Sequence, residues 1–215
     1  MTGSQEPVTM LPKMAEQIIL ADFDFRWDEG KVLVRLGSRN GLRSAAPSLL
    51  ALLKDTESRL PALLAPKAAY TIIRHEETNG NRIFDKAVMV ALGVVTIGPA
   101  LEAEIETAFK EGDMLKGLIL DAFGTDAIVQ VFKQAERRIV EEALRRGLWP
   151  SKRFSPGYRG WPLEEQKFLF QKVDAASIGV RLNDSCMMIP RKSNSFRINF
   201  YADRSFTTRR LPPSI

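Results

Sequence analysis

The sequence predicts an α+β fold, a twisted antiparallel sheet flanked by helices. Three observations carry that expectation. Strand-like segments lie on either side of a helical middle, around Ala68 to Thr96 and Ser177 to Tyr201, which is not the strand–helix alternation of a parallel sheet. The last strand-like segments are joined by short polar links containing Asn183, Asp184 and Asn194, and short links favour antiparallel neighbours. The apolar run from Ala87 to Ile97 is rich in β-branched residues. It falls far short of the roughly 20 residues of a membrane helix, so it reads as a buried strand.

The elements follow in chain order. Met14 to Leu20 reads as a short amphipathic opening, and Ala45 to Leu64 sets leucines at helical spacing, a helix broken by Pro61 and closed by Pro66. Tyr70, Ile72 and Ile73 mark a strand over Ala68 to His75, Asn79-Gly80 marks a turn, and Val88 to Thr96 reads as a central strand. Leu101, Ile105, Ala108 and Phe109 share one helical face that ends at Gly112. A longer helical region runs from Met114 to Arg146, and Gly124 or Thr125 could divide it in two. Leu163 to Val173 is a short helix with Pro162 at or just before its first position. Strands are expected over Ser177 to Leu182, Ser185 to Ile189 and Ser195 to Tyr201, and Pro212-Pro213 closes the chain. The 215 residues fit one domain, with residues 1–65 as a helical N-terminal part, 66–203 as the core and 204–215 as a tail.

Composition narrows the chemistry. Apolar residues at 45% and charged residues at 27% suit a globular protein, and the polar start lacks the pattern of a secretory signal, so a cytoplasmic location is expected. Cys186 is the only cysteine and His75 the only histidine. A disulfide, a cysteine-ligated cluster, a zinc site and a Ser/His/Asp triad are therefore not expected. His75 reads as a structural, solvent-facing residue and Cys186 as a small buried hydrophobe. The net charge of +5 comes partly from two clusters: Arg145, Arg146, Lys152, Arg153 and Arg159, then Arg191, Lys192, Arg197, Arg204, Arg209 and Arg210. No aromatic RNA-binding signature or zinc finger interleaves with them, so a solvated face is expected, not a nucleic-acid surface.

Residues 153 to 166 read Arg-Phe-Ser-Pro-Gly-Tyr-Arg-Gly-Trp-Pro-Leu-Glu-Glu-Gln, a loop that leads into a helix. Gly157 lets a ligand approach the main chain, Pro156 stiffens the loop, Arg153 offers a planar fork for a carboxylate and Tyr158 could cover an aromatic ring. On physical grounds alone the loop reads first as a rigid connection between a helix and the next element. A second block reads Ile178-Gly179-Val180-Arg181-Leu182-Asn183-Asp184-Ser185, followed by Met188, Pro190, Ser193 and Ser195. Together the two blocks resemble the activation (reactivation) domain of cobalamin-dependent methionine synthase, here in the pattern of a stand-alone member. The resemblance runs from about Thr96 to Tyr201, taking in Thr96-Ile97-Gly98 and the helix around Asp126, and is loose over the first 65 residues.

That resemblance implies a C-shaped domain that binds S-adenosylmethionine against the loop. Arg153 would take the ligand carboxylate; Ser155, Pro156, Gly157 and Tyr158 would line it, mainly through backbone. Asp126 falls where the family carries a site glutamate, although it could instead be an acid at a helix N-terminus. The implied role is positioning the methyl donor for reductive remethylation of cobalamin carried by a partner, a corrinoid methyltransferase such as methionine synthase, with a flavodoxin-like electron donor as a further partner. The alternative is a docking module for a corrinoid protein that no longer binds the nucleotide. Three departures from the family pattern bear on this choice: Phe206 stands nearest a hydroxyl-bearing aromatic, with Tyr201 a substitute; Asn183-Asp184 replaces a Thr-Glu pair; and Asp22 and Asp24 are the candidates for an N-terminal aspartate. A methyltransferase of the common nucleotide-binding class is not expected, since its glycine-rich strand-to-helix loop is not apparent.

Overall fold

The computed structural model describes residues 16–38, 45–78, 86–158 and 160–207. The expected Asn79-Gly80 turn, the Pro212-Pro213 end, Arg159, Arg209 and Arg210 lie outside these residues. Along the chain run β1 (Ile18–Leu20), α1 (Glu29–Arg35), α2 (Pro47–Leu63), β2 (Lys67–Arg74), β3 (Met89–Thr96), α3 (Ala100–Lys110) and α4 (Met114–Arg145). Then come β4 (Trp149–Pro150), α5 (Glu165–Lys172), β5 (Arg181–Leu182), β6 (Met188–Ile189) and β7 (Ser193–Tyr201). Five strands form one sheet in the order β1-β2-β3-β7-β4, and β5 and β6 pair as a separate hairpin. Every pairing is antiparallel.

The central strand explains the apolar run in the sequence. All eight residues of β3 are buried, which requires cover on both faces of the sheet. Alternation divides the two sides. Met89, Ala91 and Val95 of β3 join Phe196, Ile198 and Phe200 of β7 in a core with Ile119, Phe123, Ala127 and Phe132 of α4. Val90, Leu92 and Val94 face the opposite way, against Trp161, Leu169, Val173 and Ile178. The same alternation aims Ser195, Arg197 and Asn199 of β7 toward this second side, where all three are buried.

Four expectations change. The N-terminal part is not wholly helical, because Ile18 to Leu20 pairs with Tyr70 to Ala68 and forms the edge of the sheet. α2 continues past Pro61 to Leu63, since the proline lies one turn from the end and removes only one donor. α4 is one unbroken helix of 32 residues, about 48 Å long. Gly124 is there for space: a Cβ on it would lie 2.6 Å from Leu101 Cδ2. The expected strand at Ser177 begins later, because Asp174 caps a 3₁₀ turn over Ala175–Ile178 that ends at Gly179 with φ of +79°.

Side chains of α4 also fasten the N-terminal segment. Gln134 donates to Asp24 O at 2.6 Å and accepts from Asp24 N at 3.1 Å, and one turn earlier Gln130 makes the same pair of bonds with Arg26, both at 2.9 Å. Each amide thus acts as a stretch of strand edge would. Trp27 then packs edge-on against Phe123, with ring centroids 5.5 Å apart. Among the described residues, no helix is long and apolar enough to cross a membrane.

Gly93 and Phe196 are direct partners across β3 and β7, and a Cβ on Gly93 would lie 2.3 Å from the ring's Cζ. Phe196 is fully buried and has nowhere to move. Gly93→Ala is therefore expected to destabilise the fold by about 1–3 kcal/mol, lowering Tm by about 2–4 °C for each kcal/mol. Gly117→Ala meets a similar contact with Phe109, but that ring is 38% exposed and can swing outward. Its Tm should move much less, which thermal unfolding of the two variants checks directly.

Candidate functional site

The proline- and glycine-rich loop is held by the edge of β7. Ser151 N donates to Asn199 O at 2.8 Å, and Phe154 exchanges both backbone bonds with Arg197, at 2.9 and 2.8 Å. Beyond Phe154 the chain turns on itself. Tyr158 N donates to Ser155 O, Trp161 N to Tyr158 O, and Gly157 N to Trp161 O at 2.7 Å. Gly157 has φ of +88°, a conformation that suits glycine. Trp161 is 3% exposed and roots the turn in the second core. The loop is therefore a rigid connection as well as an exposed surface. Its Gly157 and Tyr158 N–H groups are used inside the turn, which leaves side chains and carbonyls to meet a ligand.

Ser155, Pro156 and Tyr158 form one wall of a cleft of about 780 Å³, within the usual range for small-molecule sites. The β5–β6 hairpin supplies Asn183, Met187 and Met188, α3 supplies Glu102, Ile105 and Glu106, and α4 supplies Asp121. Arg191 to Ser195 form the floor. Tyr158 is 72% exposed and Met187 54% exposed, so the rim presents an aromatic ring and a thioether to solvent.

Two buried ties hold the walls together. Gln166, 4% exposed, donates to Cys186 O at 2.9 Å and accepts from Ser195 Oγ at 3.1 Å. One amide thereby links α5, the hairpin and β7. Lys192 provides the second: its backbone N donates to Glu102 Oε1, and its Nζ meets Asp121 Oδ1 and Thr125 Oγ1, both at 2.8 Å. Neither tie was apparent from the sequence, because a glutamine and a lysine in polar stretches look like surface residues. Arg197 also lies beneath the loop, donating to Asn199 Oδ1 at 2.6 Å. Burial pulls its guanidinium down to about 10, partly offset by Tyr201 and Glu165.

The predicted site residues divide. Ser155, Pro156 and Tyr158 line the cleft, and Gly157 shapes their turn. Arg153 is not part of that lining: it pairs with Glu136 at 3.0 Å and lies over the Phe132 ring at 4.4 Å. Phe132 and Glu136 are one turn apart on α4, so they form a cradle. Asp126 is likewise outside the cleft. It is 7% exposed in the interior of α4, accepts from Gln130 Nε2 at 2.7 Å and faces Arg35 at 3.9 Å; it is not an acid at the start of the helix. Asn183 lines the cleft, but its Oδ1 accepts from Ser185 N and Met187 N and shapes the hairpin. Phe206 packs beside Tyr201, with centroids 6.1 Å apart, at the opposite end of β7.

The basic clusters are largely paired. Glu142 takes Arg145 and Arg146, Glu136 takes Arg153, Asp121 takes Lys192, and Arg204 lies over Trp149 at 5.2 Å. His75 is half-buried in a 3₁₀ turn, and Cys186 is buried. Among the described residues, no group of three or more His, Cys, Asp or Glu side chains could hold a metal ion.

No protein-family profile matches the chain, and no curated protein matches it. A solved structure does: the crystal structure of the MetH reactivation domain bound to AdoHcy, with a TM-score of 0.65 and 14% identity. The match covers 87% of this chain and 79% of that one. The chain shares its fold, an α+β domain with a curled antiparallel sheet.

Gln166→Leu should strand the Ser195 hydroxyl and the Cys186 carbonyl, at about 1–3 kcal/mol for each group left buried and unpaired. Hydrogen exchange should quicken first across Asn183 to Ile189, ahead of β3 and β7. Uniform quickening throughout the sheet would mean that the amide serves general stability and is not a tie for the hairpin.

Proposed function

We propose that this chain binds S-adenosylmethionine in the cleft beside Ser155, Pro156 and Tyr158, and serves as a reactivation subunit acting in trans on a corrinoid methyltransferase. One observation carries the reading. Ser155, Pro156 and Tyr158 of the resembling Arg-Phe-Ser-Pro-Gly-Tyr block line a ligand-sized cleft, in a fold shared with a domain bound to AdoHcy. The chemistry of the walls fits such a ligand. Tyr158 can stack on an adenine ring, Met187 and Met188 offer soft apolar contact, and Glu106 and Asp121 favour a cationic sulfonium and amino group.

S-adenosylmethionine would supply the methyl group to a cobalt held by the partner protein. The residues of this chain would hold the donor at a fixed angle and keep its methyl-bearing end turned to the open rim. That task is one of proximity and orientation. A rigid turn and tied walls suit it better than a flexible loop would. Methionine synthase is the simplest partner, a flavodoxin-like protein the simplest electron donor, and the cytoplasm the setting.

A docking module without nucleotide binding is the second reading. Phe109, Met114, Leu115 and Leu118 are all exposed where α3 meets α4, one turn from Glu106 and Asp121 of the cleft, as a protein-binding rim would be.

Titration calorimetry with S-adenosylmethionine and S-adenosylhomocysteine decides between them. Binding of both is expected. Tyr158→Ala should weaken each by about 3–10-fold, in line with roughly 1 kcal/mol for an aromatic stack, and should leave Tm unchanged because the ring is mostly in solvent. No heat from either compound, with the free protein or with a corrinoid protein present, favours the docking module.

A further inference from the structure

The floor of the cleft contains two cations, and they are not equivalent. Lys192 is neutralised by Asp121 and 16% exposed at its side chain. Arg191 lines the same cleft, is exposed, and makes no ion pair among the described residues. Its backbone is nonetheless well placed. Pro190 precedes it and is buried, and Lys192 after it is pinned at its backbone by Glu102 and at its side chain by Asp121 and Thr125. The guanidinium is therefore a planar donor without an ion pair among the described residues, on an anchored stretch of backbone, in a cleft that also carries Glu102, Glu106 and Asp121. Arg153 differs in each respect. It is bonded to Glu136, lies over Phe132 and is absent from the cleft lining.

We propose that Arg191, and not Arg153, binds the carboxylate of the ligand's amino-acid end, with Glu106 receiving its amino group. A zwitterion needs one cation and one anion, and Arg191 can take the carboxylate without leaving an ion pair among the described residues, whereas Arg153 would have to give up Glu136. Arg153 then serves the loop, fastening it to α4. This inference rests on the nucleoside reading above.

Two probes separate them: S-adenosylhomocysteine, which carries the amino-acid end, and 5′-methylthioadenosine, which lacks it. Calorimetry should show that Arg191→Ala weakens S-adenosylhomocysteine by about 10–100-fold and leaves 5′-methylthioadenosine within about twofold. Arg191→Lys should recover part of the loss, since an ammonium keeps the charge without the fork. Arg153→Ala should lower Tm and retain the preference for S-adenosylhomocysteine. If Arg153→Ala abolishes that preference while Arg191→Ala keeps it, the assignment is overturned and the nucleoside reading survives. If the wild-type protein binds neither compound, both fall together.

Discussion

Burial of β3 on both faces is the constraint from which the rest of the architecture follows. A strand with eight buried residues needs neighbours on both edges and cover on both sides, and each need is met by a different part of the chain. β2 and β7 take the edges. One face is covered by α4, long enough to cross the sheet, with α1 and α2 packed beyond it. The other receives α5, a 3₁₀ turn and the Trp161 loop. That second cover is built from short pieces, and short pieces leave gaps. The cleft is one such gap, between the hairpin, the loop and the α3–α4 pair.

This division shows why the fold was more legible in the sequence than the site. Periodicity reports burial, so β2, β3, β7, α3 and the extent of α4 could be read from where apolar residues recur. The errors fall where another force decides. Gly124 looks like a helix breaker along the chain, yet it admits Leu101 from α3, and only tertiary packing shows that. Ile18 to Leu20 has too few residues for alternation to register, and becomes a strand because β2 offers an open edge. Of the site, the turn from Ser155 to Tyr158 was visible because proline and glycine mark it. The ties were not, since Gln166 and Lys192 acquire their roles from partners 20 to 90 positions away.

On the second face Ser195, Arg197 and Asn199 would disrupt an apolar core if left without partners. Ser195 Oγ donates to Gln166 Oε1 and Arg197 Nε donates to Asn199 Oδ1, while the backbone of β7 at Arg197 and Asn199 bonds Phe154 and Ser151 of the cover. A face covered by a regular amphipathic helix could be wholly apolar. A face covered by loops must also satisfy their backbone groups, and the backbone edge of β7 does so at Ser151 and Phe154. The polar side chains of β7 lie buried on the same side, bonded to Gln166 and to each other.

The same reasoning links stability to the proposed use of the site. Fourteen per cent identity at a TM-score of 0.65 over 87% of the chain shows that this fold accommodates wide sequence change. Arg153 illustrates the point. Its cradle of Phe132 and Glu136 fixes the beginning of the loop to α4, a structural task that holds the turn in place whatever the cleft contains. In the proposed reading the ligand-facing work passes to residues whose backbone is anchored and whose side chains make no ion pair among the described residues. Those residues are Tyr158 on the loop and Arg191 beyond the hairpin, one offering a ring and the other a charge, both lining a space whose walls are already tied.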